Sequence, residues 1–177
     1  REAGQLSLQT KRLLALEAFQ HTAQYDAAIS HYLSGAFGAD PLSGEIAFGG
    51  QKIQELRYGE NPHQKAAFYR SGIPTSGTVA NAKQLHGKEL SYNNIVDVDA
   101  AWKLVNEFAQ PAAAIIKHTN PCGTAIGETL SEAYRRAYEA DSVSAFGGII
   151  AVNRPMDKAT AEQIVTTFME AVIAPSF

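Results

Sequence analysis

Apolar side chains recur every three or four residues over residues 7–33, a spacing that predicts a helix with one apolar face. Ser7 is a suitable N-cap for this helix. Residues 34–44 (SGAFGADPLSG) interrupt the pattern with glycine and proline, so we expect a linker or domain boundary there. The apolar positions of the helix are Leu8, Leu13, Leu16, Phe19, Tyr25, Ile29 and Leu33.

Beyond the linker the pattern changes to alternating strands and helices. Residues 45–53 predict a strand that bends at a glycine pair, residues 64–70 a second strand, and residues 73–77 a turn. The clearest helix is predicted over 94–109, where Pro111 ends it and carboxylates in its first turn suit the helix dipole. Its inward positions are Ile95, Val98, Trp102, Val105 and Ala109, and the two carboxylates are Asp97 and Asp99.

The last third continues the alternation. Residues 112–117 (AAAIIK) and 146–152 (FGGIIAV) are short continuous apolar runs, which predict strands covered on both faces. A helix is predicted over 129–140, and a last helix after the cap residue Asp157. This order of elements predicts an α/β layered sheet. The inward positions of the last helix are Ile164, Val165, Phe168, Met169 and Val172.

Composition narrows the functional classes. The 177 residues are 45% hydrophobic and 19% charged, values typical of a globular protein with a packed core. The net charge of -3 argues against general nucleic-acid binding, although it leaves small anionic substrates open. We expect a cytoplasmic protein without a membrane span, because no apolar run, signal peptide or cysteine pair indicates otherwise. Both ends of the sequence suggest a fragment of something longer.

Lys117 and His118 stand together at the end of a predicted buried strand. Ligands of α/β sheets bind beyond the carboxyl ends of strands, so the pair is a candidate site. A histidine can exchange a proton near neutral pH, and a neighbouring lysine favours negative charge that develops on a reacting oxygen. The alternative is a solvent-exposed lysine beside a histidine bonded to a loop carbonyl. Residues 119–123 (TNPCG) predict a turn that would bring both side chains to one substrate.

The same stretch raises the question of zinc. Base deaminases carry H-x-E followed by P-C-x-x-C. Here Pro121 and Cys122 are present, but Ala125 stands in place of the second cysteine, and no histidine begins an H-x-E. We therefore expect no catalytic metal, and we interpret Cys122 as a small turn or core residue.

A second polar stretch is LRYGENPHQ, residues 56–64. Arg57 offers a forked cation for phosphate or carboxylate, and Tyr58 and His63 offer a hydroxyl and an imidazole on a turn. The alternative is a polar turn after a strand. Likewise, Asn94 is either an N-cap or a ligand contact, and Gly147 allows either close packing or close approach of a ligand.

Taken in order, five segments resemble the bifunctional family that joins AICAR (phosphoribosylaminoimidazolecarboxamide) formyltransferase to IMP cyclohydrolase. They are LRYGENPHQ, LSYNNIVDVDAAW, IIKHTNPCGTAIG, SAFGGIIA and VIAPSF. The N-terminal segment LSLQTKRLLALEAFQHTAQYDAAISHYL is also similar to the last helical segment of the family's cyclohydrolase domain. The resemblance covers essentially the whole chain.

The resemblance implies a domain organisation and a reaction. Residues 1–35 would be the C-terminal helical tail of the cyclohydrolase domain, 36–53 a linker, and 54–177 the N-terminal part of the formyltransferase domain. The implied fold of that domain is cytidine-deaminase-like, without zinc chemistry. The family transfers a formyl group from 10-formyltetrahydrofolate to the 5-amino group of AICAR, then closes the ring to IMP, and it works as a homodimer.

Matching motifs also imply roles for single residues. His118 is expected to accept the proton of the attacking amine, and Lys117 to stabilise the oxyanion. The expected AICAR contacts are Arg57, Tyr58, Asn94, Gly147 and Glu170, with His63 supporting the site. The expected partners are therefore small molecules, AICAR and the folate, with no nucleic acid and no membrane.

Two rival interpretations stay open. One is a relative of the zinc deaminases. The other is a zinc-free, deaminase-like module that binds a nucleotide or assists assembly without catalysis. In the family pattern the cyclohydrolase segments lie upstream of Arg1 and much of the folate site lies beyond Phe177, so we expect this chain alone to have little activity of either kind.

Overall fold

In the computed structural model, the described residues are 4–40, 44–71 and 77–177. The predicted turn at 73–77 therefore lies outside the described residues except for Gly77. The helices and strands are α1 (Leu8–Ala36), β1 (Gly50–Leu56), β2 (Ala66–Ser71), α2 (Tyr92–Asn106), β3 (Ala112–Lys117), β4 (Asn120–Ile126), α3 (Leu130–Ala140), α4 (Ser142–Ala145), β5 (Ile149–Val152), α5 (Lys158–Ile164) and β6 (Ala171–Ile173).

The chain divides into two compact units, of which the first takes the described residues of 1–54 and 68–76. It contains α1, and the Ser7 hydroxyl caps this helix by accepting from the Thr10 amide at 3.1 Å. The predicted helix and its N-cap are therefore confirmed. Its apolar face is not covered by the described residues, because Ala27 is the buried residue of α1 while Leu13, Phe19 and their apolar neighbours are exposed.

β1 and β2 form a two-stranded sheet. The expected strand over 45–53 is wrong for residues 45–49, because β1 begins only at Gly50. An added Cβ at Gly50 would lie 3.4 Å from the carbonyl oxygen of Arg70, so β1 already lies close to β2 where it begins. The strand expected at 64–70 is confirmed as β2, displaced by one or two residues.

The second unit takes residues 55–67 and 77–177 and contains a four-stranded sheet in the order β4-β3-β5-β6. β3 runs antiparallel to both β4 and β5, whereas β5 and β6 are parallel. The central strand β3 is buried from Ala112 to Ile116, and both α2 and α3 contact it. The predicted mixed α/β class is confirmed, and the cytidine-deaminase-like assignment stays a prediction.

The expected turn at 119–123 is mostly strand. β3 and β4 form a hairpin whose connection is only His118 and Thr119, since Lys117 already pairs with Asn120. β4 is an edge strand, where Pro121 can be accommodated although it lacks an N–H. A bulge between Ile115 and Ile116 leaves Cys122 as the extra residue. The proline and glycine that predict a turn in the sequence therefore lie in a bulged edge strand.

The last predicted helix is only partly correct. The Asp157 carboxylate caps α5 by accepting from the Thr160 amide at 2.8 Å, as expected. The helix ends at Ile164, however, and Val172 lies in β6, which pairs with β5. Hydrogen bonding to the sheet outweighs the helical spacing of the apolar residues there. Val165 is 79% exposed and Phe168 is 55% exposed, so the inward positions predicted for these two residues are wrong.

A buried asparagine ends α2 earlier than predicted. The Asn153 amide donates to the carbonyl oxygens of Val105, Phe108 and Gln110 at 3.1, 2.9 and 2.8 Å. These bonds fix carbonyl groups in the last turn of the helix and in the segment that follows it. The helix therefore stops at Asn106, and the predicted inward position of Ala109 is wrong because that residue is exposed.

Candidate active site

The hairpin between β3 and β4 holds its two connecting residues in an uncommon backbone conformation. His118 and Thr119 have φ angles of 53° and 61°. Two-residue hairpins favour positive φ at both positions, but glycine, asparagine or aspartate usually occupies them. A β-branched residue such as Thr119 is strained in this region. The strand therefore breaks at His118 itself, one residue earlier than the sequence indicated.

The Asp97 carboxylate of α2 holds this turn. One oxygen accepts from the His118 amide at 3.0 Å and the other from the Thr119 amide at 2.7 Å. Left-handed backbone costs about 1–2 kcal/mol per residue, and a hydrogen bond to a charged group contributes about 1.5–3 kcal/mol. The two bonds are therefore large enough to offset the strain.

The carbonyl side of His118 is bonded as well. Its oxygen accepts from the Thr119 hydroxyl at 2.7 Å and from the Asn120 amide nitrogen Nδ2 at 2.9 Å. Both peptide groups that flank His118 are thus fixed, while its imidazole is exposed. The direction in which the ring leaves the backbone is set by the turn.

Lys117 is half-buried, and its ammonium donates to the carbonyl oxygen of Phe146 at 3.0 Å. Gly147 follows with a φ of 72°, and its amide donates to the carbonyl oxygen of Phe168 at 2.9 Å. The Glu170 amide in turn donates to the carbonyl oxygen of Gly148 at 3.0 Å. Three of the predicted site residues, Lys117, Gly147 and Glu170, are therefore linked to one loop before β5. The side chain of Glu170 is exposed.

Lys117 and His118 line one open cavity of about 430 Å³. It offers a cation, an imidazole, an amide, a thiol and a carboxylate within one concave surface. Such a set can hold a polar small molecule, exchange its proton and stabilise negative charge. The other lining residues are Asn120, Pro121, Cys122, Asp141 and Ser144.

Two groups of the cavity have shifted pKa values. Partial burial raises the pKa of the Cys122 thiol, the Asp141 carboxylate raises it further, and Lys117 opposes them. The pKa of Asp141 is lowered, because its carboxylate accepts hydrogen bonds from the side chain and amide of Ser144. At neutral pH the cavity therefore combines a protonated thiol with an ionised carboxylate.

Arg57 and Tyr58 lie on a separate polar turn after β1. The guanidinium carbon of Arg57 is 5.7 Å from the centroid of the Tyr58 ring, within the range of a cation–π contact. Gly59 and Gln64 close the turn through a 3.0 Å bond from the Gly59 amide to the Gln64 carbonyl. Arg57 and His63 are exposed. Neither Arg57, Tyr58 nor His63 belongs to the described residues that line the cavity.

Asn94 takes the capping role that the sequence left open, together with Ser91. Its side-chain oxygen accepts from the Ser91 amide at 3.1 Å and from the Ser91 hydroxyl at 2.8 Å, and the Ser91 hydroxyl accepts from the Asn94 amide at 3.2 Å. This reciprocal arrangement is a capping box at the start of α2. Among the described residues, Asn94 does not line the cavity.

Three residues of the site have little local signal in the sequence. The position of Asp97 suggests only a helix-dipole carboxylate, because its two bonds to the turn join residues 21 and 22 positions apart. Asp141 and Ser144 belong to no motif of the predicted site. The spacing D-x-x-S is a local signal for an N-cap, which is what Asp141 provides to Ser144 at 2.9 Å.

Among the described residues, no three His, Cys, Asp or Glu side chains cluster in a way that could hold a metal ion. The described part of the chain also contains no helix with the length and apolar character to cross a membrane.

Comparison with known proteins identifies close relatives. The family described as AICARFT/IMPCHase bienzyme matches residues 1–177. The bifunctional purine biosynthesis proteins PurH of Bacillus subtilis (strain 168), Bacillus mycoides (strain KBAB4) and Bacillus cereus (strain B4264) are each 56% identical over 178 residues. Each alignment takes 100% of this chain and 34% of the relative. The chain therefore spans about a third of the length of these curated relatives.

Proposed function

The chain belongs to the AICARFT/IMPCHase bienzyme family, and on this premise we propose that it carries the proton-transfer part of an AICAR formyltransferase site in de novo purine biosynthesis. The observation that carries the proposal is that Lys117 and His118 line one cavity at the end of β3. The identity of 56% to bifunctional PurH proteins over the whole chain supports the same assignment.

The proposed reaction transfers a formyl group from 10-formyltetrahydrofolate, the co-substrate, to the 5-amino group of AICAR. The amine nitrogen attacks the formyl carbon, and the carbonyl oxygen becomes an oxyanion. The bond between the formyl carbon and the folate nitrogen then breaks, and that nitrogen takes up a proton. The AICAR amine is a weak nucleophile, because the neighbouring carboxamide withdraws electron density, so the step needs a base and an oxyanion partner.

His118 is the proposed base. Its imidazole is exposed to the cavity while both flanking peptide groups are bonded, so the ring leaves a fixed backbone. A positioned imidazole that takes the amine proton typically accelerates a reaction by about 10²–10⁴-fold.

Lys117 is the proposed oxyanion partner. Its ammonium has three N–H groups, and the bond to Phe146 uses one of them. Among the described residues no further hydrogen-bond partner takes the remaining two, which can therefore bind a substrate oxygen. A half-buried cation stabilises developing charge more strongly than one in bulk water.

The proposed AICAR contacts are Arg57, Tyr58, Asn94, Gly147 and Glu170, with His63 in support. Arg57 has the geometry to bind a phosphate with two parallel bonds, and the Tyr58 ring beneath it limits its freedom. At Gly147 an added Cβ would meet no heavy atom within 4 Å, so a ligand can approach this backbone.

The domain organisation, oligomeric state and location of the protein are also proposals. Residues 1–35 would belong to the IMP cyclohydrolase domain, 36–53 to a linker and 54–177 to the formyltransferase domain. We expect the full-length protein to be a cytoplasmic homodimer, and the isolated 177-residue chain to lack substantial activity of either kind. A formyl-transfer assay on the isolated chain tests the last point, and turnover equal to that of the full-length protein would contradict it.

The decisive test of the function is His118→Ala in the full-length protein. We expect the kcat for formyl transfer to fall by about 10² or more, because the base is lost. His31→Ala, an exposed histidine of α1, is the matched control and should leave kcat unchanged. Retention of formyl transfer within a few-fold in His118→Ala would exclude His118 as the base.

A further inference from the structure

The backbone at His118 is held by a side chain of α2, the helix that precedes β3 in the sequence. Asp97 lies in the second turn of α2, whose Val98, Ala101 and Val105 side chains are buried. The helix contacts both β3 and β5. The Asp97 carboxylate therefore belongs to a helix that packs against the sheet. Each of its oxygens accepts a hydrogen bond from one backbone amide of the turn.

We propose that Asp97 is a positioning residue for the formyl-transfer step, which directs the His118 imidazole by holding His118 and Thr119 in the left-handed conformation. The inference rests on the proposed function, since it requires His118 to be the base. Asp97 acts through His118 and need not touch the substrate. No neutral side chain of the same size can replace it fully, because only a carboxylate offers two acceptor oxygens to two amides.

The conformation of Thr119 gives the proposal a specific test. Thr119 is strained at a φ of 61° because it is β-branched. Glycine adopts this conformation without strain. In Thr119→Gly the turn should therefore keep its shape with less help from Asp97. A residue that only stabilises the fold in general would not show this dependence on position 119.

The experiment compares Asp97→Asn, Thr119→Gly and the double variant in the full-length protein, with steady-state kinetics for AICAR. Asp97→Asn should lower kcat by about 10–100-fold, which is part of the loss expected when the base itself is removed. The KM for AICAR should stay within about three-fold of the parent value. Thr119→Gly loses the bond from its hydroxyl to the His118 carbonyl oxygen, so it serves as its own reference, and adding Asp97→Asn to it should lower kcat by only about three-fold relative to that reference. Asp99→Asn, which loses an exposed ion pair to Lys103, is the matched control and should leave kcat unchanged.

Thermal melting monitors folding, and Asp97→Ser is a second variant with the same expectations if Asp97→Asn folds poorly. An unchanged kcat in Asp97→Asn, while His118→Ala is inactive, would overturn this inference and leave the proposed function intact. An equal loss with and without Thr119→Gly would also overturn it. Full activity of His118→Ala would remove the proposed function, and this inference with it.

Discussion

The ammonium group of Lys117 donates a 3.0 Å hydrogen bond to the carbonyl oxygen of Phe146. The bond joins the end of β3 to the loop that precedes β5, where Gly147 has a φ of 72°. The position of the cation therefore depends on a backbone conformation that glycine adopts without strain. The hydrogen bond also explains how a lysine at the end of a strand can face the cavity instead of extending into solvent.

Replacing Lys117 by methionine in the full-length protein tests its proposed role. Methionine preserves much of the side-chain length but removes the charge and the N–H donors. We expect kcat for formyl transfer to fall by about 10²–10³-fold, the usual cost of losing an oxyanion donor. Lys103→Met, an exposed lysine of α2 paired with Asp99, should leave kcat unchanged. A loss smaller than three-fold in Lys117→Met would contradict the role.

The sequence predicts those elements whose apolar residues follow one simple pattern along the chain. β3 is an unbroken apolar run because sheet neighbours and helices enclose it, and α1 and α2 have the spacing of a helical face. β4 was missed because its proline and glycine usually indicate a turn, whereas here they lie in a bulged edge strand. β6 was missed because three residues are too few to show a period.

The site was predictable only as far as it is local. Lys117 and His118 could be located from the end of an apolar run and a family resemblance. The contact of Asp97 with the turn could not, because it joins residues 21 and 22 positions apart and leaves no local pattern. The conformation of Thr119 was also hidden, since a β-branched residue normally argues against positive φ.

Gly123 should tolerate no larger side chain. An added Cβ would lie 1.9 Å from the carbonyl oxygen of Ala137, so β4 and α3 would have to separate. We expect Gly123→Ala to lower the free energy of unfolding by about 3 kcal/mol. At Gly87 the nearest atom to an added Cβ is 3.9 Å away, so Gly87→Ala should cost only the strain of its φ of 89°, about 1–2 kcal/mol. Urea unfolding of the chain measures both, and equal losses would contradict the packing argument.

Asn153 should be one of the most sensitive polar residues of the second unit. Besides its three donated bonds, its side-chain oxygen accepts from the Ala112 amide at 2.8 Å. Asn153→Ala removes all of these side-chain bonds at a buried position, and we expect a loss of about 2–4 kcal/mol in urea unfolding. Asn106→Ala removes one exposed bond to the Trp102 carbonyl and should change stability by less than about 0.5 kcal/mol. Similar changes in the free energy of unfolding for the two variants would show that the side-chain bonds of Asn153 do not contribute unusually to stability.

Alkylation of Cys122 reports the charge balance of the cavity. The thiolate is the reactive form, and partial burial together with Asp141 raises the thiol pKa. The pH at which the iodoacetamide rate is half-maximal should therefore lie above that of a free thiol. Lys117→Met should move this midpoint upward, because a stabilising cation is lost, and Asp141→Asn should move it downward. Asparagine caps a helix as well as aspartate does, so Asp141→Asn removes the charge without removing the cap of α4. A shift of the same sign in both variants would contradict the charge balance inferred for the cavity.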